Sequence, residues 1–408
     1  LVPSRLHPGK FYALPQSPQL FKQILMVSGF DKYFQIARCF RDEDARGDRQ
    51  LEHTQIDIEM SFVSKDDVFD VVEGMMSHIF SSAIDKKLAT PFERMSYDDA
   101  MNKFGSDKPD LRFAMEFVNF EQFVPASVFN VFKEVIKSGG SVRALVAPGC
   151  AEYSRKMIED LEGTAKTYGA KGLAWMKMTD AGLEGGVSRF FASQSEGIVK
   201  TLSAKPGDLV LIVADKWKTC CTSLGAVRSR LGKDLDLLTD EFRFCWIVDF
   251  PLFDWNADSE KWEPAHHMFT MPQEQYLDTL EDNPGEVKGD LYDLVCNGLE
   301  LASGSIRIHT RKLQQRVFSI LGISPDEAEQ RFGFLLKAFR FGPPPHGGIA
   351  PGLDRLIMIL TGETSIKDVI AFPKNTVGVS PMDESPSVVD SEQLEELFLR
   401  LVEPGAQS

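Results

Sequence analysis

The sequence predicts an α+β fold of 408 residues with an inserted domain. The composition is that of a soluble globular protein, with 43% hydrophobic and 26% charged residues. The stretch from His53 to Val63 alternates apolar and polar residues, which is typical of a half-buried strand. Residues 113–234 form a separate pattern of strands and helices. We therefore expect a first catalytic part at 1–112, an insertion at 113–234 and a second part at 235–408.

Composition also restricts the partners and the compartment. The 45 basic and 60 acidic residues give a net charge of −15, so any contact with nucleic acid must be local. No apolar run approaches the roughly 18 residues that span a bilayer, so we expect no membrane segment. The six cysteines form no C-x-x-C pair, which favours reduced, buried thiols in the cytoplasm. The first residues, LVPSRLHPGKFYALP, lack Met and a signal-like apolar run, so we expect a fragment of a longer protein.

The first part begins with a helix and a strand. Ser17 and Pro18 predict a helix start, with a capping hydroxyl and proline at the first position, and Gly29 predicts its end. Gln19 and Lys22, three residues apart, then share one face of this helix. A strand is expected over the range 34–40.

The second strand, His53 to Val63, has two faces of different character. The apolar face is expected to be core and carries Ile56, Ile58, Met60 and Phe62. The polar face carries Gln55, Asp57, Glu59 and Ser61. A solvated face is the ordinary interpretation of such a row. The preceding loop, RDEDARGDRQLE, is long and of mixed charge, however, and loops of this kind on a rigid sheet usually bind ligands.

The insertion and the second part have their own elements. In the insertion we expect a helix over 152–168 and strands over 173–178 and 209–215. In the second part we expect strands at 245–250 and 305–309, an apolar helix at 352–360, and an amphipathic helix from Ser391 to Val402.

The candidate site combines arginines with carboxylates. The common phosphate-binding, zinc-binding and nucleophile-elbow motifs are absent, and His266-His267 lacks metal-ligand spacing. Arg355 lies in the first turn of a helix, where the dipole favours an anion beside it. The proposed site residues are Arg41, Arg307 and Arg355 with Glu43, Asp57, Glu59 and Glu300. They predict a site for a polyphosphate with Mg²⁺ and a small acidic substrate, acting by positioning and charge neutralisation.

Long motifs in this sequence resemble those of the bacterial-type aspartyl-tRNA synthetases, which are class II enzymes. In chain order they are LVPSR, FYALPQSPQLFKQ, RCFRDEDARGDRQ with TQIDIEM, FGSDKPDLR, HHMFT, NGLELASGSIRIH, and GLDRLIMILTG with DVIAFPK. The resemblance covers nearly the whole chain and includes an insert similar to the family's GAD domain.

The resemblance implies a class II antiparallel sheet flanked by helices and a two-step reaction. L-aspartate would react with ATP to give aspartyl-adenylate, with Mg²⁺ as cofactor, and the aspartyl group would pass to the 3′ end of tRNA(Asp). Transfer to tRNA(Asn) stays open. The resemblance further implies a homodimer for the full-length enzyme and a cytoplasmic location.

The resemblance also assigns roles by position. Arg41 of motif 2 and Arg355 of motif 3 would be catalytic, on the α-phosphate and the γ-phosphate of a bent ATP. The aspartate-binding residues would be Gln19, Lys22, Arg41, Asp57, His266 and Arg307. The ATP-binding residues would be Arg41, Asp42, Glu43, Gln50, His53, Glu300, Gly352, Leu353, Asp354 and Arg355. Glu300 and Ser303 would hold Mg²⁺. Arg46 and Arg49 would meet the tRNA.

Three departures from the family pattern stand out. His53 replaces a phenylalanine that stacks on adenine. Ala302-Ser303 replaces Gly-Gly, and Ser303 resembles the archaeal and eukaryotic branch. The chain also begins after the family's anticodon-binding OB-fold, motif 1 and a substrate-binding glutamate. Two alternatives stay open here: an ammonia-using asparagine synthetase of the same fold, and a non-catalytic paralogue.

Overall fold

The computed structural model describes residues 1–43 and 47–402. Its backbone contacts divide the chain into two compact units. The first comprises Leu1–Pro91, Leu252–Leu291 and Leu301–Ser408, and the second comprises Phe92–Pro251 and Tyr292–Glu300. The predicted insertion, 113–234, lies within the second unit.

The helices and strands alternate along the described residues. The strands are β1 (Val2–Pro3), β2 (Phe11–Tyr12), β3 (Lys32–Phe40), β4 (Glu52–Ser61), β5 (Glu93–Ser96), β6 (Val118–Asn119), β7 (Ser141–Ala147), β8 (Ala174–Thr179), β9 (Gly182–Glu184), β10 (Leu209–Asp215), β11 (Phe244–Val248), β12 (Phe253–Asn256), β13 (Lys261–Pro264), β14 (Leu291–Cys296), β15 (Leu299–Ile306) and β16 (His346–Pro351). The helices are α1 (Gln19–Val27), α2 (Lys65–Ile84), α3 (Tyr97–Phe104), α4 (Asn130–Lys137), α5 (Arg155–Thr167), α6 (Ser195–Leu202), α7 (Trp217–Asp234), α8 (Arg311–Ile320), α9 (Pro325–Ala338), α10 (Leu353–Thr361) and α11 (Ser391–Glu396).

An antiparallel sheet organises the first unit. β3 pairs with β4 from Lys32 opposite Met60 to Phe40 opposite Glu52, β4 pairs with β16, and β16 pairs with the second half of β15. Helices α1 and α10 pack against β4, and α2 packs against β16. The predicted antiparallel sheet flanked by helices is therefore confirmed.

Strand β4 is buried on both of its faces near its end. Asp57, Ile58, Glu59 and Met60 are all buried, so the polar face is not solvated. The prediction that Phe62 belongs to the core is wrong, because the chain leaves the strand at Ser61. Phe62 has a backbone φ of +58°, and its side chain is 74% exposed.

The second unit holds a five-stranded antiparallel sheet in the order β6-β7-β10-β8-β9. Helix α7 packs on β7 and β10, and α5 packs on α7. Leu145, Leu211 and Val213 from the sheet and Leu161 and Leu224 from the helices share one core. In the same unit, β11 pairs antiparallel with β14 and parallel with β5, an exception to the antiparallel pattern.

Several predicted boundaries shift. The C-terminal helix ends at Glu396 rather than at Val402, because Phe398 has a φ of +56° and an exposed ring, which leaves the expected apolar face without packing. The strand expected at 305–309 ends at Ile306. All six cysteines are free and buried, as predicted. Among the helices that the structure describes, none is long and apolar enough to cross a membrane.

Candidate active site

Four charged side chains form a buried charge cluster, which we define as Lys22, Asp57, Glu59 and Arg307. All four are 2% exposed or less. Lys22 Nζ lies 2.6 Å from Asp57 Oδ1 and 3.1 Å from Glu59 Oε2. Two cations face two anions, so the formal charges balance, which is the condition under which charged groups tolerate burial.

Glu59 orients Arg307. Arg307 Nε donates to Glu59 Oε1 at 3.0 Å, and Nη2 donates to Oε2 at 3.1 Å. This two-pronged geometry fixes the plane of the guanidinium as well as its position. Arg307 is therefore preorganised before any ligand arrives.

The protonation of the two carboxylates follows from their surroundings. Burial alone would raise the pKa of Glu59, but the Arg307 and Lys22 charges outweigh it and lower this pKa to about 2. Burial raises the pKa of Asp57 more than Lys22 lowers it, and the nearby Glu59 charge adds to the rise. Glu59 is thus the more firmly ionised of the two.

Ser305 and His267 contact another edge of Arg307. Nη1 donates to Ser305 Oγ at 2.6 Å and to His267 Nε2 at 2.8 Å. Burial, with the Arg307 charge, lowers the pKa of His267 well below its ordinary value, so the ring is neutral and can accept this bond. His266, the residue predicted to close over the substrate, is exposed beside it.

Local sequence patterns build this cluster. The period of two along β4 places Asp57 and Glu59 on one face. Lys22 reaches them from α1, which packs against β4. Arg307 follows directly after β15, where it bridges to Thr270 and its backbone N–H donates to the His346 carbonyl. Arg307 and Glu59 are 248 residues apart in sequence.

The loop between β3 and β4 carries more open charges. Arg41 Nη1 lies 3.9 Å from Glu43 Oε1, and the Arg41 side chain is 42% exposed. Arg49 Nη1 lies 3.5 Å from Glu43 Oε2. Asp42 is also exposed, and Arg46 lies outside the described residues. Glu43 is thus shared by two arginines at long distances.

The start of α10 is tied to the other end of this loop. Arg355 Nε and Nη2 donate to the Asp48 carbonyl at 3.3 and 3.1 Å. The Asp354 carboxylate accepts from the Thr54 backbone N–H at 2.7 Å, a contact that anchors the helix to β4. Gly352 bridges to Gln55, and Leu353 opens the helix. The structure therefore brings motif 3 beside motif 2.

The other predicted ATP and metal residues occupy more varied positions. Gln50 is buried, and its side-chain oxygen accepts from the Lys374 N–H at 2.7 Å. His53 is half-buried, and burial together with the Arg41 charge lowers its pKa. Glu300 and Ser303 are half-buried on β15.

Sequence reasoning gave no specific role to Glu59, Ser305, His267 or Gln23. The alternating pattern of β4 placed Glu59 beside Asp57 but did not reveal its bond to Arg307. Gln23 follows Gln19 by one helical turn, and this spacing was the available signal. For His267, the sequence offered only an adjacent pair of histidines.

Comparison with known proteins identifies the family. The family model for class II tRNA synthetases (D, K and N) matches residues 1–376, and the chain belongs to this family. The chain is 63% identical to an aspartate–tRNA(Asp/Asn) ligase of Treponema denticola, covering 99% of this chain and 69% of that protein. It is 52% identical to an aspartate–tRNA ligase of Clostridium tetani, covering 98% and 68%.

A solved structure also matches. It is the aspartyl-tRNA synthetase of Entamoeba histolytica, which is 19% identical with a TM-score of 0.46, and the match covers 92% of this chain and 54% of that one. The chain therefore spans about two thirds of the length of these curated relatives and about half of that solved chain. The names of the relatives do not favour the asparagine synthetase alternative.

Proposed function

We propose that this chain is the catalytic part of an aspartate–tRNA ligase. It activates L-aspartate with ATP to aspartyl-adenylate and then transfers the aspartyl group to the 3′ end of tRNA(Asp). The observation that carries the proposal is the buried charge cluster, which holds two cations ready for an acidic substrate. In such a water-poor site, fixed charges act more strongly than they would in water.

The proposed amino-acid site is built around this cluster. Lys22 and Arg307 bind the side-chain carboxylate of aspartate, and Gln19 and Asp57 orient its ammonium group. Arg307 suits this role because a planar guanidinium matches a carboxylate. His266 is exposed and would close over the substrate from its loop.

Adenylation would proceed by positioning and neutralisation. A carboxylate oxygen of aspartate attacks the α-phosphorus of ATP, the bond to the bridging oxygen breaks, and pyrophosphate leaves. Arg41 bridges the α-phosphate and the amino-acid carboxylate, and Arg355 meets the γ-phosphate. The other ATP contacts are Asp42, Glu43, Gln50, His53, Glu300, Gly352, Leu353 and Asp354.

Magnesium is part of the proposal. Glu300 and Ser303 would hold the ion through a carboxylate and a hydroxyl oxygen, and Mg²⁺ prefers oxygen ligands of this type. Both side chains are half-buried, which leaves them some access to solvent. When bound, the ion would neutralise phosphate charge.

The partners and organisation of the whole protein are also proposals. The acceptor is tRNA(Asp), and tRNA(Asn) is the second candidate, because the curated relatives carry both kinds of name. We further propose a homodimer, a cytoplasmic location, and a GAD-like insertion at 113–234 between catalytic parts at 1–112 and 235–408. Charging of tRNA(Asp) and tRNA(Asn) transcripts by the full-length protein would separate the two acceptors.

Aspartate-dependent exchange of pyrophosphate into ATP tests the adenylation step. We expect exchange in the wild type and its loss in Arg307→Ala. Arg307→Lys, which keeps the charge but not the fork, should retain a reduced rate. The matched control is Arg316→Ala, which removes an exposed arginine that pairs with Glu281 at 2.6 Å, and it should exchange normally.

The outcomes are distinct. Loss of exchange in Arg307→Ala but not in Arg316→Ala would support the aspartate site, provided that circular dichroism shows both variants folded. Exchange that is absent from the full-length wild type, or that persists in folded Arg307→Ala, would contradict the proposal.

A further inference from the structure

A chain of three hydrogen bonds runs behind Gln19. Its middle members, Gln23 on α1 and His346 at the start of β16, are both 0% exposed. The Gln19 side-chain NH2 donates to Gln23 Oε1 at 3.3 Å. Gln23 Nε2 lies 3.3 Å from His346 Nε2, and His346 Nδ1 lies 2.8 Å from the Pro344 carbonyl oxygen. All four residues belong to the first unit.

The direction of every bond in this chain follows from the carbonyl at its end. A carbonyl oxygen only accepts, so His346 must carry a proton on Nδ1. Burial is the main influence on His346 and lowers its pKa, although the Glu59 charge acts against this, so the ring is neutral. A neutral ring with its proton on Nδ1 has a bare Nε2, which must accept from the Gln23 NH2 group.

This order propagates to Gln19. With its NH2 group turned toward His346, Gln23 presents its oxygen to Gln19, and Gln19 must then present its NH2 group in return. Among the described residues, the Gln19 side chain makes only this hydrogen bond. Its oxygen is the atom left for a ligand, and an oxygen attracts an ammonium group whereas an NH2 group would repel it.

We propose that Gln23 and His346 are positioning residues that fix the orientation of the Gln19 amide, so that its oxygen faces the α-ammonium group of the substrate. This inference rests on the proposed function, which places Gln19 at that ammonium. A reversed Gln19 amide would set two NH2 groups, or two oxygens, against each other at a buried contact, and leaving such groups unpaired is unfavourable.

A ligand without the ammonium group separates this role from mere packing. Succinate is aspartate with hydrogen in place of the amino group. In Gln23→Met, which keeps the volume but removes both bonds, we expect calorimetric affinity for aspartate to fall about tenfold, or about 1.4 kcal/mol. Affinity for succinate and the KM for ATP should stay within about twofold. His346→Phe should act in the same direction with a smaller effect.

Gln314→Met is the matched control. Gln314 is also 0% exposed and donates one bond, from Nε2 to the Met268 carbonyl at 2.8 Å. We expect it to lower the stability of the chain without changing the preference for aspartate over succinate. Equal weakening of aspartate and succinate in Gln23→Met, or no weakening of either, would overturn the inference.

A measurement on the wild type needs no variant. In NMR spectra of protein labelled with ¹⁵N-histidine, His346 should show a protonated Nδ1 and a bare Nε2 at neutral pH. A proton on Nε2 would overturn the inference. Failure of the wild type to bind aspartate at all would instead overturn the proposed function, so the two failures are distinguishable.

Discussion

The buried charge cluster and the loop between β3 and β4 hold similar residues in opposite surroundings. In the cluster, Arg307 and Glu59 meet at 3.0 Å with almost no exposure. In the loop, Arg41 and Glu43 lie 3.9 Å apart, and both are partly open to solvent. Buried partners keep each other in place, whereas solvated partners are screened and cost little to separate.

This difference matches the two ligands proposed for the site. A small amino acid must be distinguished from its near relatives, and buried groups that lose their partners discriminate strongly. ATP presents many charges along its length, so exposed arginines can neutralise it without a rigid pocket. The cluster should therefore govern stability and the loop should govern turnover.

The largest expected effect comes from removing Arg307. Arg307→Ala leaves Glu59 buried with only Lys22 as a cation, and breaking such a pair costs about 3–5 kcal/mol. Urea denaturation should show that loss in the free energy of unfolding. Arg316→Ala, which breaks an exposed pair, should lose no more than about 1 kcal/mol. Equal losses in the two variants would mean that burial does not distinguish these arginines.

The next effect depends on pH through Glu59. Its pKa is lowered from 4.5 to about 2, so its ionised form stabilises the fold above pH 4.5 and loses this effect as the pH falls toward 2. We expect wild type to exceed Glu59→Gln by on the order of 3 kcal/mol at neutral pH. The difference should shrink below about pH 4.5 in denaturation series.

Asp57 does not obscure this measurement. Its raised pKa has the opposite sign, since it favours the protonated form in the folded chain, but Asp57 is present in both proteins. Glu281→Gln serves as the control, because Glu281 pairs with Arg316 at the surface. A difference between wild type and Glu59→Gln that persists at pH 2 would contradict the assigned pKa.

Part of this arrangement could be predicted from the sequence. The alternation along β4 predicted that Asp57 and Glu59 share a face, and the spacing in α1 placed Lys22 near Gln19. Neither pattern predicted that this face is buried, because the residues that bury it come from distant segments. Gln23 and His346, for example, are 323 residues apart.

Other features depend on single backbone angles that periodicity does not show. Phe62 continues the alternation of β4 perfectly, yet its positive φ turns it out to solvent. Phe398 likewise interrupts the expected C-terminal helix with a φ of +56°. The pair His266-His267 shows the same limit at a site, since only His267 contacts Arg307 and adjacency in sequence gave no reason to choose it.

The loop should show a small effect on stability together with a large effect on turnover. Arg41→Ala removes a half-exposed arginine, so the free energy of unfolding should change by less than about 1 kcal/mol. If Arg41 neutralises the α-phosphate, kcat for pyrophosphate exchange should fall on the order of 100-fold. Arg49→Ala is the control, because Arg49 shares Glu43 but is assigned to tRNA, and exchange proceeds without tRNA. Strong destabilisation by Arg41→Ala would remove the contrast between loop and cluster.

The smallest effect expected here concerns His53, where this chain departs from the family. Burial and the Arg41 charge lower the pKa of His53, so the ring is neutral at pH 7 and can stack on adenine as an uncharged aromatic. Phenylalanine offers a larger apolar face, and stacking on a base is worth about 1–3 kcal/mol in total. His53→Phe should therefore lower the KM for ATP by only about two- to fivefold, with the KM for aspartate unchanged. A rise in the KM for ATP would mean instead that an imidazole nitrogen, rather than the ring face, contacts the nucleotide.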